Sequence, residues 1–330
     1  MATSEIDVLG IGNAIVDVLA HAEDGFLAAH GLTKGAMTLV DAERAESLYS
    51  RMTGTVECSG GSAANTLVGI ASFGGVGAYI GKVGDDDLGR VFAGDIRRAG
   101  VQFDTPPSNG GPATGRCLVL VTPDAQRTMQ TFLGASATLA PSDVAPAQVA
   151  RARITYLEGY LWDAPPAKQA MRRAADIARE AGRRVALTLS DPFCVDRHRA
   201  EFLALIDSSV DVVFANRDEV LALFRTDDLD EASRRVAERC EIAVVTLGDR
   251  GSLVLRGSER IDVEPIAVGP VRDTTGAGDL YAAGFLHGLV QGRPLADCGR
   301  LGSLAAGEVI SHFGARPVRE LASLAAENLA

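Results

Sequence analysis

Several features that mark other protein classes are missing from this chain of 330 residues. No run of about eighteen or more apolar residues occurs, which argues against a membrane span. Acidic residues outnumber basic ones by 43 to 32 and no basic cluster stands out, so nucleic-acid binding is disfavoured. A protein of this charge must bind an anionic ligand locally, through backbone amides, a few basic side chains or a metal ion.

Paired cysteines are also missing. The five cysteines are scattered and form no Cys-x-x-Cys pair, and the five histidines show no metal-ligand spacing. This pattern is typical of reduced thiols, so we expect a cytoplasmic protein. The first seven residues carry no basic group, so we expect no signal peptide.

Two common nucleotide-binding signatures are absent as well. Gly10 and Gly12 begin a dinucleotide fingerprint, but Ile15 stands where its third glycine belongs. Gly81-Lys82 comes nearest to a P-loop, yet the first glycine and the hydroxyl residue of that loop are replaced by valines. A phosphate must therefore be held in another way.

The hydrophobic pattern that is present predicts an α/β fold. From about residue 151, strand-length apolar runs alternate with helical patterns, which favours a mostly parallel sheet with helices on both faces. We predict strands at 6–11, 77–83, 116–122, 127–133, 154–157, 184–189, 210–215, 242–247 and 252–255. We predict helices at 41–52, 65–73, 90–99, 167–181, 231–239, 279–291 and 295–309, and a helical tail from Val318.

Residues 273–279 read Asp-Thr-Thr-Gly-Ala-Gly-Asp and lead directly into an apolar helical pattern. The first N–H groups of a helix lack intrahelical partners and carry the positive end of its dipole. Gly276 and Gly278 have no side chain to keep an anion away, so the loop is predicted to cradle a phosphate. The carboxylate of Asp279 could accept a proton from an attacking hydroxyl within the same turn. A capped helix start is the alternative interpretation.

This string resembles the second signature of the PfkB/ribokinase family of small-molecule kinases. The six residues from Gly60 to Asn65, Gly-Gly-Ser-Ala-Ala-Asn, are similar to the first signature. The order of the two motifs and their wide separation also fit that family. The resemblance implies a ribokinase-like three-layer α/β domain with a mostly parallel central sheet and a small β-sheet lid.

The resemblance also implies a division of the chain. Residues 1–13, 41–103 and 133–330 would form the large nucleotide-binding and catalytic domain. Two excursions, 14–40 and 104–132, would form the lid over the substrate site. Many family members dimerise through this lid, so a homodimer is an expectation for this chain.

Two arginines fall in the expected lid. Positive charge at Arg116 could neutralise a phosphoryl group during its transfer. We expect Arg127 to be an ordinary solvated surface residue.

For the phosphate acceptor, the resemblance points to polar residues at strand ends. Asp17 is similar to the acidic residue that grips sugar hydroxyls in the family, and Asn13 could complete a donor–acceptor set for a diol. Gly60, Gly61 and Asn65 would form the opposite wall. From the residues alone, turn and cap positions are an equal explanation.

On the ATP side, Asn216 and Glu219 match an Asn-x-x-Glu element that organises magnesium and phosphate, mostly through water. Mg²⁺ prefers such oxygen ligands, although a helix N-cap explains the same pattern. The resemblance places Thr246, Gly248 and Gly251, which follow a predicted strand, beside the phosphates or ribose of ATP.

Two C-terminal positions complete the expected ATP site. Ala306 lies among small residues that would leave room for a purine, or for close helix packing. Gly314 belongs to a stretch that is similar to the closing loop of the family, which flanks ATP. In ribokinase-like members this region also helps to bind a monovalent cation such as K⁺, often with a serine where Val318 stands here.

The acceptor itself is open between two branches of the family. The segments around Asp17, Tyr160 and Leu189 look more like the adenosine kinase branch. Tyr160 or Trp162 could stack on a purine, although aromatic residues are usually core residues. We expect phosphorylation of a primary hydroxyl of a ribosyl substrate, adenosine first. The alternatives are a sugar kinase (ribose, fructose or 2-keto-3-deoxygluconate) and a non-catalytic nucleotide or sugar sensor.

In the mechanism that this resemblance implies, Asp279 accepts the proton of the acceptor hydroxyl, whose oxygen attacks the γ-phosphoryl group of ATP. The backbone amides of Thr275, Gly276, Ala277 and Gly278 hold the developing charge. Magnesium bridges the phosphates and the lid excludes water.

Overall fold

The computed structural model describes residues 6–124 and 126–329. The N-terminal stretch for which we expect no signal peptide lies almost wholly outside these residues. The strands of the described part are β1 (Ile6–Ile11), β2 (Ile15–His21), β3 (Met37–Leu39), β4 (Val56–Gly60), β5 (Gly77–Ile80), β6 (Gln102–Phe103), β7 (Thr114–Val121), β8 (Arg127–Gly134), β9 (Ala152–Glu158), β10 (Arg184–Thr188), β11 (Val212–Asn216), β12 (Ile242–Thr246), β13 (Ser252–Arg256) and β14 (Glu259–Val263).

The helices belong mainly to the large domain. They are α1 (Asp24–Ala29), α2 (Ala42–Tyr49), α3 (Ser62–Ser72), α4 (Asp87–Arg98), α5 (Pro146–Arg151), α6 (Pro165–Glu180), α7 (Pro192–Ser209), α8 (Arg217–Phe224), α9 (Leu229–Ala237), α10 (Ala277–Val290), α11 (Leu295–Val309) and α12 (Leu321–Asn328). Within the described residues, no helix is long and apolar enough to cross a membrane.

The large sheet has the strand order β14-β13-β12-β11-β10-β9-β1-β5-β6. All neighbours from β12 to β6 run parallel, and β13 and β14 add an antiparallel edge. One core packs α3, α10 and α11 against one face, and a second core packs α6 to α9 against the other. Burial on both faces explains why these strands are continuous apolar runs rather than alternating ones. The predicted three-layer α/β fold is confirmed.

The parallel register brings the strand ends together at one edge of the large sheet. Asn216 at the end of β11 pairs with Thr246 at the end of β12. Glu158 ends β9 next to β1, whose last residue Ile11 lies opposite Leu157. In open α/β sheets this carboxyl edge is where ligands bind.

The second sheet has the order β3-β8-β7-β2-β4, and four of its strands come from the two segments predicted to form the lid. We call this sheet the lid, and its closure over a substrate stays a prediction. Its first segment was expected to end at residue 40, and the structure corrects this, because β4 pairs with β2 and extends the segment to Gly60. The second segment runs to Gly134, where β8 ends. The sequence pattern did not predict β2, β3, β4, β6 and β14, which lack the long continuous apolar runs of the buried parallel strands.

Alternation along β2 divides the lid into two faces. Val16 and Val18 are fully buried in the main core, whereas Ile15, Asp17 and Leu19 point to the other side of the sheet. One polar residue, Asp17, thus stands on an otherwise apolar stretch of this second face. The lid therefore places the Asp17 side chain near the carboxyl edge of the large sheet.

Candidate active site

The conformation of the loop before α10 depends on Gly276 and on hydrogen bonds to the Asp273 carboxylate. Gly276 is the N-cap of α10, and its φ of 78° lies in the left-handed region that favours glycine. The carboxylate of Asp273 accepts hydrogen bonds from the amides of Thr275 (3.0 Å) and Gly314 (2.8 Å). A side chain at Gly278 would meet no atom within 4 Å, so the first turn of the helix faces open space. An anion can therefore reach the free amides there.

Asp279 joins the two sequence signatures. Its Oδ1 accepts a hydrogen bond from Ser62 Oγ at 2.6 Å, and its Oδ2 accepts one from Asn65 Nδ2 at 3.0 Å. The hydroxyl of Thr66 donates to the backbone carbonyl of Asp279 at 3.1 Å. Burial raises the pKa of Asp279, and the two side-chain hydrogen bonds and the charge of Arg316 oppose this rise. The carboxylate is thus oriented and close to the free helix amides.

Asp17 faces the same space from the lid. A Cβ at Gly60 would lie 2.4 Å from the Asp17 carboxyl carbon, so a side chain there would displace the Asp17 carboxylate. Within the described residues, the Asp17 carboxylate accepts no hydrogen bond. Burial raises its pKa to about 6, against the charges of Arg316 and Arg127. Asp17 therefore has free acceptor positions for the hydroxyls of a ligand.

Asn13, which we expected to bind the substrate, is held by contacts within the protein, and its role in substrate binding stays a prediction. Its Nδ2 donates to Glu158 Oε1 at 2.7 Å, and its Oδ1 accepts from Ser136 Oγ at 2.8 Å. Glu158 also accepts from the amide of Ala63 at 2.9 Å, and burial raises the pKa of Glu158 to about 7. Asn13 is 4% exposed and acts as an internal anchor for the start of α3. The polar pattern could not distinguish a buried partner from a ligand.

The backbone of Gly61 lies directly against Asn13. Its φ of 102° is accessible to glycine, and a Cβ there would lie 2.1 Å from the carbonyl oxygen of Asn13. The two glycines at the end of β4 thus allow close contacts on both sides of the site. Gly60 lies against Asp17, and Gly61 lies against the end of β1.

The two aromatic candidates for purine stacking are separated by the structure. Trp162 is fully buried in the core and packs against Phe202, with Lys168 over its ring. The expectation that Trp162 stacks on a substrate is therefore wrong, because it points away from the site in a short helical turn. Tyr160 in the same turn is half-buried. Burial raises its pKa, the charges of Asp191 and Asp279 raise it further, and Tyr160 stays a candidate.

Asn216 and Glu219 form a reciprocal helix cap. The amide and Nδ2 of Asn216 donate to the Glu219 carboxylate at 2.9 and 2.6 Å, and Glu219 N donates back to Asn216 Oδ1 at 2.9 Å. Burial raises the pKa of Glu219 to about 7. The described residues contain no group of three or more candidate metal-binding side chains. One carboxylate suits a magnesium ion that is held mainly by water and phosphates, and this role stays a prediction.

The other predicted ATP positions lie on several segments of the large domain. Thr246 is beside Asn216, and Gly248 has a φ of 66° with open space at its Cβ position. Gly251 packs against the carbonyl of Val263, so its role is at least structural. Ala306 is half-buried on α11, and Gly314 has a φ of 101°. Contacts of these residues with ATP, and a nearby K⁺ ion, stay predictions.

Arg127 is not the solvated surface residue that we expected. Its side chain is 10% exposed, forms an ion pair with Asp273, and donates to Thr275 Oγ1 at 2.9 Å. Arg116 instead pairs with Glu46 at 2.9 Å in the lid and does not reach this loop. The sequence could not reveal this exchange of roles, because both arginines lie on lid strands of similar pattern.

Sequence reasoning also missed Arg316 as an individual residue. Its Nε donates to Asn65 Oδ1 at 2.9 Å, and its Nη2 donates to Ser59 Oγ at 2.9 Å and to the Ser59 carbonyl. Ser59 in turn donates from its hydroxyl to Asp95 at 2.6 Å. The guanidinium therefore links the C-terminal loop, the first signature and the lid strand β4. No local sequence signal marks it, because its partners lie about 250 positions away.

Comparisons with known proteins agree with this geometry. The model of the "pfkB family carbohydrate kinase" matches residues 27–321. The chain belongs to the PfkB family. As a member, it is an ATP-dependent kinase that phosphorylates a hydroxyl group. The adenosine kinase-like branch that the sequence favoured is also supported.

Two solved structures are similar over almost the whole PfkB chain. One is described as adenosine kinase from Sinorhizobium meliloti, with 55% identity, a TM-score of 0.92 and coverage of 99% of this chain and 100% of that one. The other is a probable sugar kinase from Rhizobium etli, with 52% identity, a TM-score of 0.92 and coverage of 98% and 99%. Adenosine kinase of Saccharomyces cerevisiae is 28% identical over 92% of this chain and 94% of its own length.

We predict that Gly60→Ala impairs use of the acceptor, because the new methyl group would displace the Asp17 carboxylate. The expected loss in kcat/KM for the acceptor is on the order of 100-fold, since small displacements at a reacting centre are costly. The KM for ATP should stay unchanged in steady-state kinetics. Gly94→Ala is the matched control, because a Cβ there meets nothing within 4 Å. Equal effects of the two substitutions would contradict the placement of Asp17.

We predict that Trp162→Phe lowers stability without changing substrate affinity. Loss of buried ring volume should reduce the free energy of unfolding by about 1–3 kcal/mol, measured by denaturant titration. The KM for the acceptor should remain within about twofold of wild type, since the ring lies in the core. A large rise in KM at unchanged stability would return Trp162 to the substrate site.

Proposed function

We propose that this kinase is an adenosine kinase, which transfers the γ-phosphoryl group of ATP to the 5′-hydroxyl of adenosine and forms AMP and ADP. The observation that carries the choice of acceptor is the 55% identity, over 99% of the chain, to the protein described as adenosine kinase from Sinorhizobium meliloti. A sugar acceptor is the competing outcome, since the similarly close Rhizobium etli protein is described as a probable sugar kinase.

The face of the lid around Asp17 supports a nucleoside. Leu19 lies next in line on the same face of β2, and its cross-strand neighbour Val119 pairs in turn with Met129. These side chains form a small apolar cluster separate from the main core. A ligand that places hydroxyls on Asp17 and a flat, uncharged base on this cluster satisfies both surfaces.

This apolar face is directed toward the signature loop. Met129 and Arg127 line a cavity of about 350 Å³ together with Asp273 and Thr275. The cavity lies between the lid and the amide end of α10. It is an open cleft, from which bound substrates would displace water.

The chemistry that we propose starts at Asp279. Its carboxylate accepts the proton of the 5′-hydroxyl, and the hydroxyl oxygen attacks the γ-phosphorus in line while the bond to the β-phosphate oxygen breaks. Ser62 and Asn65 hold the carboxylate in place. The amides of Thr275 and Ala277 donate within the loop, to Asp273 and to the Thr274 carbonyl, so the amides of Gly276 and Gly278 are the ones that stabilise the transferring charge. Bound Mg²⁺ supplies charge neutralisation on the phosphates, and Glu219 is the residue that would orient its water shell.

Acceptor-dependent ADP release tests the choice of substrate. The purified protein would be assayed with Mg-ATP against adenosine, other nucleosides, ribose, fructose and 2-keto-3-deoxygluconate. We expect kcat/KM for adenosine to exceed that of every free sugar. Turnover with one of the sugars and none with nucleosides would overturn the adenosine proposal, and the protein would be a sugar kinase.

We predict that Asp279→Asn removes nearly all turnover. The amide keeps the size of the side chain but cannot accept the proton, so kcat should fall by about 1,000-fold or more. ATP binding, measured by calorimetry, should stay close to wild type because the loop amides are unchanged. Wild-type kcat in this variant would show that Asp279 is not the base.

A further inference from the structure

We propose that Arg316 is a positioning residue for the phosphoryl transfer, because it fixes the amide of Asn65 so that Asn65 holds the catalytic carboxylate. This inference rests on the proposed role of Asp279 as the base. Arg316 lies in the C-terminal loop and belongs to neither of the two signature motifs. Its contacts nevertheless end at the reacting group.

The first step of the argument is the direction of the Asn65 amide. A side-chain amide can present either its oxygen or its NH₂ group to a neighbour. Arg316 Nε donates to Asn65 Oδ1 at 2.9 Å, which requires the oxygen to face the guanidinium. The NH₂ group must then face Asp279, where it donates to Oδ2 at 3.0 Å. The carboxylate also favours the NH₂ group, since it can only accept hydrogen bonds, so the guanidinium adds a second contact that restricts the position of the amide.

The second step is how Arg316 is itself held. Its Nη2 donates to the hydroxyl of Ser59 at 2.9 Å and to the carbonyl of the same residue. Ser59 is fully buried and is tied to Asp95 by its amide (2.9 Å) and its hydroxyl (2.6 Å). The fork of the guanidinium thus spans from β4 to α3, a geometry that the single ammonium of lysine cannot reproduce.

The third step is electrostatic. The positive charge of Arg316 lowers the pKa of both Asp279 and Asp17, against the rise that burial causes. The other ionisable groups whose charges are coupled to Asp279 are Asp17, Glu158, Tyr156 and Tyr160. None of these four can replace the cation, because none carries positive charge.

Two substitutions separate orientation from charge. Arg316→Lys keeps the charge but loses the fork, so kcat should fall by about 10- to 100-fold while the acid limb of the pH–kcat/KM profile stays near wild type. Arg316→Gln loses both, so kcat should fall and the acid limb should move to higher pH by roughly 0.5 to 1 unit. The KM for ATP should change little in either variant, because the contacts of Arg316 lie on the acceptor side.

Arg319→Gln is the matched control. Arg319 lies three positions along the same loop, and its exposed side chain pairs only with Glu327 among the described residues. This control should keep the wild-type kcat and pH profile. Thermal unfolding of all variants would show whether a loss of activity reflects loss of the fold.

The outcomes are decisive in each case. A fall in kcat in both variants, with a shifted acid limb in Arg316→Gln alone, supports the proposal. Wild-type kcat in Arg316→Lys, or an unmoved acid limb in Arg316→Gln, overturns it. If Arg316→Gln does not fold, the Arg316→Lys result decides. Retained turnover in Asp279→Asn would instead refute the base assignment, which is a separate failure.

Discussion

The site depends on the hydrogen bonds that Ser62 and Asn65 donate to the Asp279 carboxylate. These bonds connect residues that are more than 200 positions apart, and they hold the start of α3 against the start of α10. The helix end with its free amides and the proposed base are thereby fixed relative to each other. A phosphate on the amides and a hydroxyl at the carboxylate can then be held at reacting distance, which is most of what phosphoryl transfer requires of a protein.

A concentration of buried charge accompanies this arrangement. Asp17, Asp279, Glu158 and Glu219 all have pKa values raised by burial. Glu158 and Glu219 are satisfied by hydrogen bonds within the protein, and they hold the ends of β1 and β11. Asp17 and Asp279 differ from them, because both face the space between lid and large domain. Groups with shifted pKa values that face a cavity are typical of functional sites.

The lid is tied to this centre from two sides. Arg127 on β8 pairs with Asp273 of the signature loop, and Ser59 on β4 receives the guanidinium of Arg316. The position of the lid is therefore coupled to the two loops that border the site. Such contacts explain how a sheet outside the large domain can place Asp17 opposite the helix end.

The sequence predicted the parts of the site that are contiguous. The loop before Asp279 could be recognised because glycines, an anion-binding helix end and a carboxylate occur within one turn. The roles of Arg127 and Arg316 could not be predicted, since they depend on strand register and on partners far along the chain. Trp162 was misassigned because two aromatic residues of one short turn, such as Tyr160 and Trp162, can point one to the site and the other to the core.

The same limitation applies to the fold. The buried apolar strands and several helices of the large domain were predicted to within a few residues, as for α11 (Leu295–Val309), but the long helix α7 (Pro192–Ser209) was not predicted. The extent of the lid was not, because β4 is defined by its pairing with β2. Pairing between distant strands depends on tertiary packing, which a local hydrophobic pattern does not encode.

The position of the phosphate in the product tests the central claim most directly. We would incubate the protein with Mg-ATP and adenosine and locate the new phosphate ester by phosphorus NMR. Because we propose that Asp17 binds the diol and Asp279 the primary hydroxyl, we predict a single product with phosphate on the 5′-oxygen. 5′-Deoxyadenosine should inhibit competitively without causing ADP release. Phosphate on a secondary hydroxyl, or ADP release with 5′-deoxyadenosine, would contradict the account.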